Sequence, residues 1–271
     1  MPNRIDQCFV RLRAEKRKGF IPYICAGDPT LERTVDLGFA LEEAGADLLE
    51  LGLPFSDPLA DGIVNQLAAQ RALAAGTTIR GVFDRVREIR RKSQIPIVLY
   101  SYLNPIFQFG VDMFHREADD AGVDGLLILD LPPEEDLADE QLDGLKASSL
   151  SGPIHIRLVA PTTLRKRIKQ IAASAKGFLY YVSREGVTGA RDSIAGSLPG
   201  KIAELRKYSD LPIAVGFGIS NADQAREVAK HADAIVVGSA IVDLIAKHGN
   251  KPEAIEAVGR FAREIAEAVH R

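Results

Sequence analysis

Short apolar runs alternate with amphipathic segments along the whole chain. Eight of the runs predict strands, at residues 20–24, 47–51, 95–101, 125–129, 154–159, 177–182, 211–215 and 234–237. Their apolar residues are nearly continuous, which is typical of parallel strands covered on both faces. After each run, apolar residues recur at helical spacing. Eight strand–helix units predict a parallel sheet closed into a (β/α)8 (TIM) barrel.

Two predicted helices lie outside this repeat. Residues 5–12 carry apolar side chains at helical spacing and predict a helix before the first strand. The connection after the second strand is long enough for a loop and two helices, at 63–75 and 79–92. The sixth connection, 183–210, opens with a polar, glycine-containing loop. It is interpreted as a mobile lid or as a plain surface loop.

The chain is expected to form one barrel domain over residues 1–271, because no break in composition marks a second domain. The alternative is an open, doubly wound sheet. Such a sheet commonly has a Gly-x-Gly-x-x-Gly turn after its first strand. Residues 25–30 do not carry that pattern.

Composition and charge narrow the functional class. The 271 residues are 46% hydrophobic and 26% charged, with a net charge of −3. No basic run indicates nucleic-acid binding, and no apolar run approaches the roughly 20 residues of a membrane span. Cys8 and Cys25 form neither a disulfide framework nor a metal-binding spacing. We expect a cytoplasmic protein with no metal site.

Glu50 interrupts the second predicted strand, where a charge is costly to bury. Because strand side chains alternate, Glu50 points into the barrel if Leu49 and Leu51 pack against helices. Apolar surroundings raise the pKa of a carboxyl group, which suits an acid–base catalyst near neutral pH. The alternative is a structural carboxylate satisfied by backbone N–H groups.

Asp61 ends the loop that follows the same strand. It is interpreted either as the N-cap of the next helix or as a second catalytic carboxylate in a different environment. Asp57 is a weaker candidate, since Ser-Asp-Pro is also a good turn sequence. Tyr23, Tyr100, Tyr102 and Tyr180 lie near strand ends and could line a pocket, but core packing is their default interpretation.

Glycines follow the last two predicted strands, at Gly216, Gly218 and Gly238. Glycine lets the backbone approach an anion, and free N–H groups at a helix start bind it. The loops after the seventh and eighth strands of barrels recurrently hold phosphate. The sequence therefore predicts a phosphorylated substrate, with Gly189 as a further donor if the sixth loop closes.

Several motifs together resemble one known family, that of the tryptophan synthase alpha subunit. The resemblance rests on Leu-Glu-Leu-Gly-Leu-Pro-Phe-Ser-Asp-Pro-Leu-Ala-Asp-Gly at 49–62. It is supported by shorter motifs at 26–29, 102–105, 130–132, 160–163, 183–189, 216–220 and 238–242. It implies retro-aldol cleavage of indole-3-glycerol phosphate to indole and glyceraldehyde 3-phosphate, without a metal or organic cofactor.

The resemblance also implies individual roles. Glu50 would protonate indole C3 and take the proton of the glycerol hydroxyl, and Asp61 would stabilise the indole N–H. Further residues would contribute to binding: Tyr180 beside Glu50, Thr188 as a hydrogen-bond partner of Asp61, and Gly189, Gly218, Gly238 and Ser239 around the phosphate.

The same resemblance implies docking, through Asp57 and Pro58, onto a pyridoxal phosphate-dependent beta subunit in an alpha2beta2 heterotetramer. One departure stands out. After Asp61-Gly62 the family usually has Pro, a small or β-branched residue, an apolar residue and Gln, whereas this chain has Ile63-Val64-Asn65-Gln66. Other hypotheses stay open: a weakly catalytic regulatory subunit, a free-standing indole-producing lyase, or another phosphate-binding barrel.

Overall fold

The computed structural model describes residues 3–132, 152–182, 194–216 and 218–270. Its strands are β1 (Gly19–Cys25), β2 (Leu49–Gly52), β3 (Ile97–Ser101), β4 (Gly125–Ile128), β5 (Ile154–His155), β6 (Arg157–Val159), β7 (Leu179–Val182), β8 (Ile213–Gly216) and β9 (Ala234–Val237). Within the same ranges the helices are α1 (Arg4–Ala14), α2 (Leu31–Glu43), α3 (Ile63–Ala74), α4 (Ile79–Arg90), α5 (Leu103–Phe109), α6 (Val111–Ala121), α7 (Arg165–Ser174), α8 (Ile194–Leu205), α9 (Ala222–Ala229), α10 (Ser239–His248) and α11 (Glu253–His270).

The strands form one parallel sheet in the order β5-β4-β3-β2-β1-β9-β8-β7-β6. The two ends of this order, β5 and β6, are separated in the chain by Ile156 alone. They are the two halves of the predicted strand at 154–159, so the sheet closes on itself through that strand. The predicted (β/α)8 barrel, with an added N-terminal helix and an added helix after the second strand, is confirmed.

The core has an inner and an outer part, separated by the barrel wall. Leu49 and Leu51 pack in the outer cluster between strands and helices. Leu48, which shares the other face with Glu50, packs in the inner cluster. Helix α1 closes the bottom of the barrel, where Phe9 contacts Phe178 with ring centroids 5.5 Å apart. The barrel interior is therefore apolar below Glu50.

Two helices differ from those that the sequence pattern predicts. Helix α5 was not predicted. Pro105 lies in its first turn, where a missing N–H is tolerated. After the sixth predicted strand the pattern predicts a helix at 201–208, whereas the observed helix spans Ile194–Leu205 and includes Pro199. The helix predicted at 137–147 lies outside the described residues.

An arginine is unusual in a barrel strand unless it faces outward, and Arg157 begins β6. It alternates with Leu158, which packs in the inner cluster, and it shares a face with Val159 of the outer cluster. Arg157 is therefore an outward-facing side chain, and it is buried in the helix layer. Within the described ranges, no helix combines the length and apolarity required to cross a membrane.

Candidate active site

Glu50 lies on β2 between Tyr23 of β1 and Val98 of β3. Its side chain is on the inner face of the barrel and is only 2% exposed. The Tyr180 hydroxyl donates a long hydrogen bond of 3.4 Å to Glu50 Oε2. Glu50 Oε1 is buried and has no hydrogen-bond partner among the residues that the structure describes. One carboxyl oxygen is thus left for a group that enters the barrel.

The surroundings of Glu50 favour its neutral form. Burial raises its pKa to about 8, and the nearby charge of Asp61 acts in the same direction. The hydrogen bond from Tyr180 opposes this rise only in part. Glu50 is therefore mostly protonated at neutral pH and is able to act as a general acid.

Asp61 is held by two tyrosines from the third strand and the residue that follows it. The Tyr100 hydroxyl donates to Asp61 Oδ1 at 2.7 Å, and the Tyr102 hydroxyl donates to Oδ2 at 3.0 Å. Tyr102 also accepts the Ala60 N–H at 2.9 Å, which fixes the loop next to Asp61. Burial raises the pKa of Asp61, and hydrogen bonds from Tyr100, Tyr102 and Asn65 lower it.

The N-cap interpretation of Asp61 is wrong. Gly62 is the N-cap residue of α3, and no side chain caps that helix. The Asp61 carbonyl, not its carboxylate, accepts the Gln66 side-chain amide at 2.9 Å. The carboxylate is turned to the two tyrosines instead.

Two glycines make room for the tyrosines around Glu50. A Cβ on Gly52 would overlap the Tyr23 hydroxyl. A Cβ on Gly216 would lie 3.0 Å from the Tyr180 hydroxyl oxygen, which is tighter than ordinary contacts. Glycine at both positions thus allows aromatic rings to lie across the ends of neighbouring strands.

The glycines after the last two barrel strands form an accessible backbone surface. Gly218 has φ +58 and open space where a Cβ would lie. Gly238 is the N-cap residue of α10, and Ser239 begins that helix with an exposed side chain. The first N–H groups of a helix have no intrahelical partner, so this surface suits an anion. Thr188 and Gly189 lie outside the described residues.

Asp57 and Pro58 lie at the tip of the loop after β2. Asp57 is exposed and accepts a hydrogen bond from the neighbouring Ser56 hydroxyl. The adjacent Leu59 is 88% exposed. This loop tip is a solvent-facing surface with an apolar component.

Asp130, which follows β4, accepts the Leu103 N–H at 2.7 Å and so anchors the start of α5. In the part of the chain that is described, no three His, Cys, Asp or Glu side chains are grouped to hold a metal ion.

Sequence reasoning gave too little weight to the tyrosines. Tyr100 and Tyr102 were interpreted as core residues by default, yet both hydroxyls contact Asp61. A signal was present in the sequence. Residues two apart at the end of a strand share one face, and β3 is the neighbour of the strand that carries Glu50.

The sequence profile of the family described as Tryptophan synthase alpha chain matches residues 9–270. The chain belongs to this family. The tryptophan synthase alpha chain of Opitutus terrae is 51% identical over 255 residues, covering 94% of each chain. That of Geotalea daltonii is 51% identical over 240 residues, covering 88% of this chain and 89% of the relative.

Solved structures of tryptophan synthase alpha chains have the same fold. Tryptophan synthase subunit alpha from Legionella pneumophila superposes with a TM-score of 0.89 at 38% identity, over 99% of both chains. A chain from the tryptophan synthase of M. tuberculosis superposes with a TM-score of 0.86 at 31% identity, over 98% of both chains. The family and the barrel expected from the sequence motifs are both confirmed.

Proposed function

We propose that this chain is the alpha subunit of tryptophan synthase and cleaves indole-3-glycerol phosphate to indole and glyceraldehyde 3-phosphate in L-tryptophan biosynthesis. The observation that carries the proposal is the pair of carboxyl groups at the barrel mouth. Glu50 is buried with a free oxygen, and Asp61 is held by two hydroxyls. Their different surroundings suit an acid–base catalyst and a charged stabiliser.

The first step is protonation of the indole ring. Glu50 gives its proton to indole C3, and the ring becomes a cation with its positive charge at the N–H end. The Asp61 carboxylate stabilises that charge. A buried acid with a pKa of about 8 holds the required proton at neutral pH.

The second step breaks the carbon–carbon bond. The Glu50 carboxylate takes the proton of the glycerol hydroxyl on the carbon attached to C3. The bond between that carbon and C3 breaks, its electron pair restores the aromatic indole, and the hydroxyl carbon becomes the aldehyde of glyceraldehyde 3-phosphate. Glu50 regains its proton, so the cycle balances without a metal or organic cofactor.

Substrate binding follows from the remaining residues. The backbone at Gly218, Gly238 and Ser239 would hold the phosphate, because Gly218 has open space where a Cβ would lie and Gly238 and Ser239 form the start of α10. Tyr180 would keep the Glu50 carboxyl in place through Oε2. Thr188 and Gly189 would join from the sixth loop when substrate is bound.

The partner in this proposal is a pyridoxal phosphate-dependent beta subunit, in an alpha2beta2 heterotetramer. The exposed loop tip with Asp57 and Pro58 would contact it, and the exposed Leu59 supplies apolar area for that contact. Cys8 and Cys25 are unpaired thiols, which supports a cytoplasmic location. The family match over residues 9–270 supports one domain spanning residues 1–271.

The test is an assay of indole release by the purified chain, with and without a beta subunit. Release in the absence of partner, with stimulation by it, is the expected result. Release that does not respond to a beta subunit would favour a free-standing lyase. No release in either condition, with stimulation of the beta subunit alone, would favour a regulatory subunit.

The variant Glu50→Gln tests the chemical role of Glu50. It keeps the shape of the side chain and removes the transferable proton. Indole release should fall by about 100-fold or more, the range set by loss of a general acid–base group. Near-normal turnover of a folded Glu50→Gln chain would contradict the role of Glu50.

A further inference from the structure

Asp61 receives hydrogen bonds from two tyrosines. Tyr100 belongs to β3, where it is in register with Gly52 of β2, and Tyr102 follows that strand. The function proposed above uses both contacts but assigns Tyr100 no task of its own.

The case for Tyr100 rests on its hydroxyl group. Its ring packs edge-on against Tyr23 with centroids 5.2 Å apart, and phenylalanine would keep that contact. Its hydroxyl makes one hydrogen bond among the described residues, the 2.7 Å bond to Asp61 Oδ1. The hydroxyl thus serves Asp61 alone, unlike that of Tyr102, which also binds the Ala60 N–H.

We propose that Tyr100 is a positioning residue that holds the Asp61 carboxylate charged and in one orientation for the indole N–H. The inference rests on the proposed lyase function. Each tyrosine hydroxyl fixes one carboxylate oxygen, so Tyr100 and Tyr102 together set the plane of the group.

A charged Asp61 matters twice in this arrangement. Only the anion stabilises positive charge on the indole ring. The same negative charge also helps to keep Glu50 protonated, because Asp61 raises the pKa of Glu50. Burial works against the anion, and the hydrogen-bond donors offset part of that effect. Loss of a donor should therefore shift Asp61 toward its neutral form.

The test compares Tyr100→Phe with the wild type. The acid limb of kcat/KM against pH should move to higher pH by about one pH unit. At the pH optimum kcat should fall about tenfold while KM changes little, because Asp61 acts on charge that develops during the reaction. Tyr208→Phe, a partly exposed tyrosine outside the barrel mouth, should leave the profile unchanged.

Two readouts separate positioning from a structural role. The Asp61 titration is followed by 13C NMR of side-chain carboxyl groups and assigned with Asp61→Asn, and it should move upward in Tyr100→Phe. The melting temperature of Tyr100→Phe should fall by no more than about 3 °C, the cost of one hydrogen bond, since phenylalanine keeps the ring contact with Tyr23. A residue kept for structure would lose stability and activity together.

The outcomes distinguish this inference from the function on which it rests. If the wild type releases indole but neither the acid limb nor the Asp61 titration moves in Tyr100→Phe, the inference is wrong and the function stands. If the wild type releases no indole, the function fails and the inferred purpose fails with it. In that case an upward Asp61 titration would retain only the hydrogen-bonding role of Tyr100.

Discussion

Arg71 and Asp28 form a two-point ion pair that joins α3 to the loop after β1. Arg71 Nε lies 2.8 Å from Asp28 Oδ1, and Nη2 lies 2.7 Å from Oδ2. Asp28 is only 1% exposed, whereas about a third of the Arg71 side chain reaches solvent. Because α3 begins immediately after Asp61 and Gly62, this pair fixes the helix that follows the loop carrying Asp61.

Arg71→Leu should be strongly destabilising. It leaves the buried Asp28 carboxylate without its partner, and such losses cost about 3–5 kcal/mol. Urea denaturation of the variant and the wild type measures the difference. Arg226→Leu is the matched control, because Arg226 pairs at 2.7 Å with an Asp223 side chain that is 89% exposed. Its cost should stay below about 1 kcal/mol, the range of surface pairs. Equal costs in the two variants would contradict this account of Asp28.

The barrel was predictable because its signal is repeated and local. Each buried strand is an apolar run, and each amphipathic helix repeats the helical spacing. The differences between the predicted and the observed elements have specific causes. Ile156 divides the fifth strand into β5 and β6, and no residue in that run signals the break. Helix α5 is hard to predict because Pro105, in its first turn, is more typical of a loop.

Only part of the candidate site could be predicted from the sequence. Glu50 was identifiable because a charge inside an apolar strand is costly and therefore informative. Contacts between distant residues left no such signal. The hydroxyls of Tyr100 and Tyr102 reach Asp61 across a gap of about forty positions in the chain, and the sequence shows only that tyrosines lie at strand ends.

Asp124 is a second buried carboxylate with arginine partners, and it lies at the end of the barrel opposite to Asp28. Its carboxylate contacts Arg90 at 2.6 Å and Arg4 at 2.9 Å, and it accepts the Ile97 N–H at 2.8 Å. Asp124→Ala should destabilise the fold by about 3–5 kcal/mol, because it leaves the buried Arg90 charge and the Ile97 N–H unpaired. The kcat of the folded fraction should stay within about twofold of the wild type, since active sites of barrels lie at the other face. The measurements are denaturation and indole release at 15 °C, and a large loss of kcat would contradict this separation.

Glu50 should make the wild-type fold less stable as pH rises. Its pKa in the folded chain is about 8, above the ordinary value of 4.5. Between these values the folded state keeps a proton that the unfolded state releases, so the free energy of unfolding decreases with pH. Glu50→Gln removes this dependence.

The advantage of Glu50→Gln over the wild type should grow from pH 5 to pH 8 and then level off. Its upper limit is about 5 kcal/mol, because the Glu50 pKa rises from 4.5 to about 8 and each pKa unit corresponds to about 1.36 kcal/mol. Denaturation across this pH range measures the difference between the two proteins. Glu256→Gln is the control, since Glu256 is 78% exposed, and its difference from the wild type should not change over the same range. A constant difference for Glu50→Gln would show that Glu50 is not protonated in the folded chain.

Ile63→Pro should stabilise the start of α3. Ile63 is the first residue of the helix, where the backbone N–H has no intrahelical partner, so proline removes no hydrogen bond there. The preceding Gly62 has φ −70 and ψ 160, an extended conformation that a following proline accepts. The Ile63 side chain is 66% exposed, so little packing is lost. Proline restricts the unfolded chain, and the expected gain is about 0.4–1 kcal/mol, or about 1–3 °C in melting temperature.

The control Ile63→Ala removes the same side chain without restricting the backbone and should change stability by less than this. A melting temperature for Ile63→Pro at or below that of Ile63→Ala would mean that residue 63 does not have the backbone conformation of a helix start in solution.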